Sequence, residues 1–556
     1  MKIQLSIHEC LVHSFSSLLI RIGLTRPLFC AALTTALFLL PGANSDLAMV
    51  TIVRGDEPAS RSDKAESVEL SETHVAAVNR RRRIYVNNDV GLPEMFGKDL
   101  KEWIYQRFDL FDEPGVQVDT IAWCFDEGNL AAYPSKVIPV LQYPGLQKWL
   151  GEGVDILRVA IDETRKRGKE AFYVYRVNGV DWEDGKAWYV SPLKKEHPPW
   201  LSDGYRWNFA VPEVRAHKLA ILRELAENYD FDGIDLDFTR GAPHLGVGRQ
   251  WENREAFTDF MRQVRHMCQE VAQKRGRPLL LAACIHESVA GCHYDGIDVE
   301  TWTRENLVDI IGAGGRSIEI DVAGFRRVIG NRNIKLMPSV DDYHTTDGYR
   351  HQGIEFWRAL YGNWWSQRID GAQTRNFFSV SDRVHKQFGY LPEHRTPPGQ
   401  QQAFREIGDP EAMRFKDALY VLQRRYGFEF GDGWNDFWYA NAQTPLPAVL
   451  SVDGLPSIQT LCVEDDVCVN AVRIAGIKLR VLLKGASPSD VIEAKFNGGL
   501  LDAPTVQEDG WRVFTLKPQQ FAVGVNLVSI RMAKLASEAK GSVSIEKVEV
   551  PVDYHE

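Results

Sequence analysis

Between residues 84 and 378, short apolar runs alternate with stretches of helical periodicity. In one helical stretch, for example, Val214, Ile221 and Leu225 recur at spacings of seven and four. The eight runs predicted to be strands are 84–89, 118–126, 171–178, 233–238, 279–286, 308–312, 334–340 and 371–378. Eight β-α units in about 295 residues predict an α/β fold, a (β/α)8 TIM barrel. The alternative is an open doubly wound sheet, but no GxGxxG motif follows the first strand.

Beyond the barrel the chain changes character twice. Residues 386–443 carry a weaker pattern, with one helix expected near 410–425. From residue 444 the pattern becomes all-β, and Asn497-Gly498 is typical of a hairpin turn. The predicted strands there cover 477–483, 491–496, 511–516, 525–532 and 542–550. We therefore expect a barrel at 81–385, a partly helical connecting segment at 386–443 and, at 444–556, a small β-sandwich that is a candidate carbohydrate-binding domain.

The first 80 residues indicate export rather than a folded unit. Arg21 and Arg26 precede an apolar run of about 13 residues, and small residues follow it. This pattern is typical of a signal peptide, so we expect residues 1–45 to be removed and the mature protein to be periplasmic or extracellular. The alternative is an N-terminal membrane anchor. Residues 46–80 are expected to form a polar linker that ends in a solvated basic run at 80–83, and no later stretch resembles a membrane-spanning helix.

The composition narrows the classes of partner and cofactor. The chain has 556 residues, with 65 Lys+Arg and 75 Asp+Glu, and a net charge of −10. Nucleic-acid binding would require a basic surface, so it is not expected. Of the eight cysteines, Cys462 and Cys468 are the best candidates for a disulfide in an exported protein. The sequence has no Cys/His zinc spacing, and we expect neither a metal nor another cofactor.

In a (β/α)8 barrel the functional groups lie at the C-terminal ends of the strands, and the fourth predicted strand ends in two carboxylates. Because side chains alternate along a strand, Asp235 and Asp237 share the inner face, whereas Ile234, Leu236 and Phe238 face the helices. Two carboxylates this close should have pKa values that are pushed apart, one raised and one low. Such a pair can supply both an acid and a base. The alternative is that one Asp only caps a loop or pairs with an arginine.

The other strand ends are polar too, and the segment after the third strand is rich in tryptophan. Carboxylates, amides and an arginine around one mouth suit a substrate rich in hydroxyl groups. The segment 179–211 holds four of the 15 tryptophans, whose indole faces suit the apolar faces of sugar rings; the alternative is that they only anchor the loop. The polar strand-end residues are Asn87, Asn88, Asp89, Asp126, Glu127, Arg176, Asn178, His286, Glu287, Asp341, Asp342, Arg375 and Asn376, and the four tryptophans are Trp182, Trp188, Trp200 and Trp207.

The motif Asp-Gly-Ile-Asp-Leu-Asp-Phe at 232–238 is similar to the fourth-strand motif of family 18 chitinases. In that family a Glu two residues after the last Asp is the proton donor, and this chain has Thr239 at that place. Because the resemblance stops at this one strand, the chitinase mechanism is not carried over.

A broader resemblance, over residues 82–550, is to the exported glycosyl-hydrolase-like (family-10-like) barrel proteins of bacteria. The matching features are an Arg-x-Asn segment at Arg176 and Asn178, the tryptophan-rich stretch after it, a helix start at 212–215, Arg240 after the fourth strand, and the segments 296–302, 307–311 and 376–378. The resemblance implies a barrel of the sugar-hydrolase class with an appended β-sandwich, and no particular substrate. His286-Glu287 departs from the family pattern, which has Arg and a small residue or proline there.

We interpret the chain as a glycoside hydrolase that cleaves a poly- or oligosaccharide with a carboxylate pair at the barrel mouth. Asp237 is the expected nucleophile or base, Glu287 the proton donor, and Asp235 the reserve donor or the electrostatic partner of Asp237. The residues expected to bind substrate are Arg176, Asn178, Trp182, Trp207, Glu127, Arg240, Asp341 and Asn376. Two alternatives stay open: a barrel that binds carbohydrate without cleaving it, and a lyase or amidase acting on an acidic glycan.

Overall fold

The structure is a computed structural model. The structure describes residues 67–89, 99–125, 128–179, 191–202, 206–315, 317–342, 349, 351–377, 382–388, 397–424, 446–451, 455–507, 509–535 and 542–555. The expected signal peptide at 1–45 and two of the expected substrate-binding residues, Glu127 and Trp182, lie outside these residues.

Short parallel strands form the barrel. They are β1 Ile84–Asp89, β2 Val118–Cys124, β3 Glu170–Arg176, β4 Gly233–Asp237, β5 Leu280–Ile285, β6 Ile310–Ala313, β7 Lys335–Leu336, β8 Ser339–Asp341 and β9 Ala372–Arg375, in the order β7-β6-β5-β4-β3-β2-β1-β9-β8. All eight predicted runs are confirmed, and the seventh is divided into β7 and β8 at Pro338, which has no N–H for a strand ladder. Since β7 pairs with β6 and β8 with β9, this one run joins the two ends of the sheet and completes the (β/α)8 barrel.

Helices alternate with these strands and start and stop at ordinary sequence signals. Among the described residues they are α1 Glu72–Val78, α2 Leu100–Phe108, α3 Pro144–Gly151, α4 Ile156–Lys166, α5 Pro192–Glu196, α6 Pro212–Asn228, α7 Arg254–Arg275, α8 Val289–Tyr294, α9 Val299–Arg304, α10 Val322–Ile329, α11 Ile354–Ser366, α12 Asp382–Phe388, α13 Pro398–Glu406 and α14 Pro410–Met413. The side chain of Asp155 caps α4 by accepting from the Leu157 N–H at 3.1 Å. The longest, α7, ends at Gly276, whose φ of 71° is the left-handed conformation that favours glycine.

The alternation along each strand separates two apolar cores. Outward side chains such as Ile234 and Leu236 join the large core between strands and helices. Inward side chains near the starts of the strands, among them Tyr85, Phe172 and Leu280, form a smaller cluster inside the barrel. Because this cluster fills the N-terminal half of the interior, the polar side chains at the C-terminal ends of the strands lie above it, at the mouth.

The C-terminal part is built from two antiparallel sheets. The strands are β10 Ala418–Val421, β11 Ala448–Leu450, β12 Ser457–Val463, β13 Ile474–Lys484, β14 Val491–Phe496, β15 Gly499–Leu500, β16 Thr505–Val506, β17 Trp511–Thr515, β18 Gly524–Lys534 and β19 Val543–Tyr554. One sheet has the order β10-β19-β13-β17-β16, with β11 also on β19, and the other has the order β12-β18-β14-β15. Apolar side chains of both share one core, which makes this part a sandwich. The five predicted strands are confirmed, and Asn497 and Gly498, with φ of 48° and 82°, form the turn into β15.

The connecting segment differs from its prediction. The helix expected at 410–425 is only the single turn α14, after which the chain extends into β10. This strand pairs with β19, with Ala418 opposite Val552, so the sandwich begins well before residue 444. The second helix of the segment, α13, covers a Gln-rich stretch in which no helix was expected.

The predictions of a polar linker at 46–80 and a solvated basic run at 80–83 are each corrected in part. Residues 72–78 form α1, in which His74 and Val78 are buried. Arg82 is buried as well and holds Glu170 with both ends of its guanidinium, Nε to Oε2 at 2.7 Å and Nη2 to Oε1 at 2.9 Å. Arg82 therefore anchors the chain to the start of β3, because burying a charge requires a partner of opposite sign. Arg80 and Arg81 are exposed, as expected for a solvated run.

The disulfide prediction is wrong in this structure. Cys462 and Cys468 are both free, as are the four buried cysteines in the described part of the barrel. Over the residues that the structure describes, no helix is both long and apolar enough to cross a membrane.

Candidate functional site

A polar pocket lies at the C-terminal ends of the barrel strands. It is lined by Asn87, Arg176, Asp237, Thr239, Arg240, Gly315, Asp341, Arg375 and Asn376. The strand register explains this set, because Arg176 lies beside Asp237, and Arg375 lies between Asn87 and Asp341. Residues at the same level of neighbouring parallel strands project into the interior together. The pocket therefore lies at the position that the barrel architecture predicts for an active site.

Asp237 is one of the buried carboxylates that line this pocket. Its Oδ1 accepts hydrogen bonds from Thr239, from the N–H at 2.9 Å and from Oγ1 at 2.7 Å. Arg375 Nη2 lies 3.0 Å from the same oxygen, in an ion pair that is less than a tenth exposed on both sides. Burial opposes ionisation, but the positive charge of Arg375, the Thr239 hydrogen bond and the charge of Arg176 together hold the pKa of Asp237 below its ordinary value. Asp237 is therefore an anion at neutral pH.

Thr239 occupies the position at which the resembled chitinase motif has its acid. Its hydroxyl donates to Asp237 and accepts from Arg375 Nη1. A hydroxyl of ordinary threonine acidity cannot serve as a proton donor at neutral pH. In this chain it links the carboxylate and the guanidinium, which fixes the orientation of both.

Asp235 lies one residue pair deeper in the barrel and does not line the pocket. It is fully buried, and its Oδ2 accepts a hydrogen bond from the Tyr85 hydroxyl at 2.9 Å. Burial raises the pKa of Asp235 to about 6, and the negative charge of Asp237 acts in the same direction, against the charge of Arg375. The predicted divergence of the two pKa values is confirmed: one carboxyl of the pair is raised and the other lowered.

Glu287, the expected proton donor, lies outside the pocket. Glu287 is buried beside His286, whose Nδ1 lies 3.9 Å from Glu287 Oε2, and it is not among the residues that line the pocket. His286 forms an ion pair through Nε2 with the buried Asp295. Burial alone would lower the pKa of His286, but Asp295 and then Glu287 outweigh it and raise the pKa to about 9. Among the described residues that line the pocket, the other carboxylate is Asp341, at the end of β8.

Several predicted binding residues do come together. Arg176, Arg240, Asp341 and Asn376 all line the pocket with Asp237. Arg176 Nη2 also donates to Asp89 Oδ2 at 2.5 Å. Asn376 has a φ of 49°, a left-handed conformation that Asn tolerates better than most residues, and it follows directly on the last strand residue.

Two other predicted binding residues serve the fold instead. Trp207 is completely buried, and its Nε1 donates to Asn129 Oδ1 at 2.8 Å. Asn178 holds the backbone of Trp207 at both ends of its amide, accepting from the Trp207 N–H and donating to the Trp207 C=O, each at 3.0 Å. The Trp207 ring is enclosed, and the Asn178 amide is hydrogen-bonded to the backbone of Trp207. These contacts hold the segment after β3 in place, so neither side chain is available to a ligand.

The residue that sequence reasoning left without a role is Arg375. Its contact with Thr239 joins positions 136 apart in the chain, which no local sequence pattern records. The available signal was the alternation along β9, which puts Arg375 on the inner face at its C-terminal end.

No protein-family model and no curated protein sequence matches the chain. Among solved structures it is similar to α-L-fucosidase isoenzyme 2 from Paenibacillus thiaminolyticus, at 14% identity and a TM-score of 0.40, over 61% of this chain and 51% of that chain. It is also similar to the PgaB (BpsB) glycoside hydrolase domain from Bordetella bronchiseptica, at 12% identity and a TM-score of 0.39, over 59% of this chain and 99% of that chain. Chitinase ChiA74 from Bacillus thuringiensis is similar at 10% identity and a TM-score of 0.37, over 84% of this chain and 100% of that chain. The chain spans about half the length of the fucosidase, and similarities at this level assign neither a substrate nor a mechanism.

Proposed function

We propose that this chain is an exported glycoside hydrolase of the family-10-like kind, acting on a poly- or oligosaccharide at the mouth of its barrel. The observation that carries the proposal is Asp237, a buried carboxylate kept ionised by Arg375 and Thr239 within a polar pocket. A buried anion needs such partners wherever it lies, so what favours a functional role is that this one lines a pocket at the C-terminal ends of the barrel strands. The apolar run before residue 45 supports export.

In the proposed mechanism Asp341 is the general acid and Asp237 is the nucleophile or general base. Asp341 donates a proton to the glycosidic oxygen as the bond to the anomeric carbon breaks. Asp237 either attacks that carbon or removes a proton from the water that does so. In the first case a water molecule, deprotonated by Asp341, then attacks the same carbon and breaks its bond to Asp237, which releases the sugar and the free carboxylate. The lowered pKa of Asp237 suits this role, because it is unprotonated when the substrate arrives. A separation of about 5–5.5 Å between the carboxyl groups would favour retention of configuration and about 6.5–9.5 Å inversion.

Asp341 replaces Glu287 as donor in this proposal. A general acid has to come within hydrogen-bond reach of the leaving oxygen, and Asp341 lines the pocket whereas Glu287 does not. In this proposal Asp235 acts through its charge. When it is ionised it raises the pKa of the neighbouring Asp237 and Arg375, and when it is protonated it does not.

A second candidate function is carbohydrate binding without cleavage. The observation in its favour is the Arg375 ion pair, because a carboxylate already engaged by a guanidinium is a weaker nucleophile. In that case the polar lining would hold the hydroxyl groups of a sugar and no bond would break.

Reducing-sugar release from a panel of neutral, uronic and sulfated glycans separates the two. On a substrate that the wild type cleaves, Asp237→Asn and Asp341→Asn should each lose at least about a hundredfold in kcat, and Asp341→Asn should lose the alkaline limb of the rate–pH profile. Glu287→Gln is the matched control, a buried carboxyl outside the pocket, and should stay within about tenfold of the wild type.

The contrary outcomes are distinct. If Glu287→Gln loses the alkaline limb and Asp341→Asn keeps it, the donor is Glu287. If the wild type binds glycans and releases no reducing end from any of them, the hydrolase proposal fails and the binding barrel replaces it.

A further inference from the structure

The chain that follows β6 lines the pocket and also holds the backbone of Asp341. Gly315, two residues after the end of β6, is a pocket residue, and its C=O accepts a hydrogen bond from the Asp341 N–H at 2.6 Å. On its other side β8 pairs with β9. Because β7, the partner of β6, ends before Pro338, the Gly315 C=O takes the place of a neighbouring strand beside Asp341. The position of Asp341 therefore depends on that of Gly315.

The residue before Gly315 packs tightly against the start of β8. Gly314 has a φ of 102°, and its N–H donates to the Ile285 C=O at 2.9 Å. A Cβ at this position would lie 2.7 Å from the Ser339 carbonyl oxygen, so only glycine allows the approach. Ser339 is the first residue of β8. Because well-packed groups transmit displacement to one another, a shift of the chain after β6 moves β8 as well.

A side chain of the sandwich holds this part of the chain from the other side. The Ile318 N–H donates to Gln423 Oε1 at 2.9 Å, and both residues are buried. Gln423 follows β10, and the residue before it is tied to the sandwich, because the Leu422 N–H donates to the Val548 C=O in β19 at 3.1 Å. A buried N–H that loses its acceptor is left unsatisfied at a cost in free energy. Gln423 therefore fixes the chain between β6 and α10 against the sandwich.

We propose that Gln423 is a positioning residue of the site, which acts from the sandwich through Ile318 and Gly315 on the backbone of Asp341. The inference rests on the proposed function only in taking Asp341 as the proton donor. A reacting group that is misplaced by about 1 Å can cost about a hundredfold in rate, even when the substitution lies far from the chemistry. This gives the sandwich a role in the barrel site that differs from the carbohydrate binding expected from the sequence.

The first test is amide hydrogen exchange of the full-length chain, followed by mass spectrometry, and it requires no substrate. Gln423→Met keeps the length of the side chain and removes the acceptor. Amides at 317–320 and 339–342 should then exchange at least about tenfold faster than in the wild type, because the hydrogen bonds of Ile318 and Asp341 open more often. Gln423→Asn withdraws the oxygen by one methylene and should accelerate the same amides less. Gln423→Glu keeps an oxygen at this position and should stay within about threefold of the wild type.

The second test is turnover of a glycan that the wild type cleaves. Gln423→Met should lose at least about tenfold in kcat and change KM by less than about threefold, because a misplaced proton donor affects the transition state more than substrate binding. Gln423→Glu should recover most of the lost kcat.

Asn363→Leu is the matched control, because Asn363 is another amide that joins barrel and sandwich. On α11, its Nδ2 donates to the Cys462 C=O at 3.0 Å and its Oδ1 accepts from the Glu464 N–H at 3.1 Å. It is not among the described residues that line the pocket. In Asn363→Leu the Glu464 amide should exchange faster, whereas exchange at 339–342 and kcat should stay within about twofold of the wild type.

The outcomes separate this inference from the proposed function. Faster exchange at 339–342 in Gln423→Met, with no glycan cleaved by the wild type, supports the positioning of Asp341 and removes the hydrolase. Unchanged exchange there in Gln423→Met, or equal acceleration in Asn363→Leu, overturns the inference whether or not a glycan is cleaved. Equal acceleration in Gln423→Glu and Gln423→Met also overturns it, because the oxygen would then not be what holds the chain. If Asp341→Asn is slow and Gln423→Met exchanges faster with an unchanged kcat, the positioning role is overturned as well.

Discussion

Replacing Asp235 by Asn should stabilise the protein at neutral pH, which is unusual for a fully buried polar residue. The pKa of Asp235 is about 6 in the folded chain, above its ordinary value of 3.8. A raised pKa means that folding favours the protonated form. The stability associated with this proton is complete below about pH 3.8 and is lost as the pH rises through about 6. The gap between the two pKa values corresponds to about 3 kcal/mol.

Asn has nearly the shape of protonated Asp, and its oxygen can still accept from the Tyr85 hydroxyl. The difference in the free energy of unfolding between Asp235→Asn and the wild type should therefore rise by about 2.4 kcal/mol from pH 4 to pH 7, because the unfolded carboxyl is already more than half ionised at pH 4. Urea unfolding followed by tryptophan fluorescence at each pH measures this difference directly. The matched control is Asp237→Asn, which should show the opposite trend: the pKa of Asp237 is lowered, so its contribution is present at neutral pH and lost on acidification. A difference for Asp235→Asn that stays flat with pH, or falls toward neutrality, would refute the reasoning.

Two further predictions concern the other end of the barrel and the sandwich. Asp309→Asn should destabilise the chain by about 3–5 kcal/mol in urea unfolding, because it leaves the fully buried Arg265 without its charge partner. A fragment 446–556 should unfold at lower urea than a fragment 414–556, because only the longer one contains β10, whose buried Tyr420 belongs to the sandwich core.

Each of these has a control. For the buried pair it is Glu252→Gln, which breaks an exposed pair with Arg249 and should cost no more than about 1 kcal/mol. A similar cost for both variants would mean that the Asp309 pair contributes no more than a surface pair.

For the fragments the control is the circular dichroism of each without urea, which should show β structure in both. Equal urea midpoints for the two fragments would place the start of the folding unit after β10.

Much of the fold was predictable because it depends on local periodicity. The strand run 233–238 has apolar residues on one face and Asp235 and Asp237 on the other, and that alternation alone places both carboxyls inside the barrel. The connecting segment was not predictable in this way. The stretch at 418–421 becomes a strand through pairing with β19, more than a hundred residues later in the chain, and no local pattern records such a partner.

The candidate site was predictable in part for the same reason. Strand-end position identifies Arg176 and Asp341, because it depends only on the direction of parallel strands. Strand-end position does not show which polar side chains are hydrogen-bonded within the fold and are therefore unavailable to a ligand. Trp207 is a residue of the type that stacks on sugar rings, yet it is completely buried and in contact with Asn129 and Asn178. These contacts join three separate loops, so burial could not be inferred from the density of tryptophan.

The charges at the base of the pocket argue that Asp235 is kept for its carboxyl group and not for the fold. Arg375 is one positive charge facing two buried carboxyls, and it pairs directly with Asp237. Burial opposes ionisation of both carboxyls. It raises the pKa of Asp235, which Arg375 compensates only partly, whereas Arg375 and Thr239 outweigh it at Asp237 and lower that pKa. An amide at 235 would keep the Tyr85 hydrogen bond and avoid the cost, so the fold alone gives no reason for an acid there. A carboxyl with a pKa of about 6 beside an ionised one does, however, change the electrostatic potential at Asp237 as the pH passes through that value. If Asp235→Asn is both more stable and slower, with a pH optimum displaced from that of the wild type, the carboxyl acts through that potential.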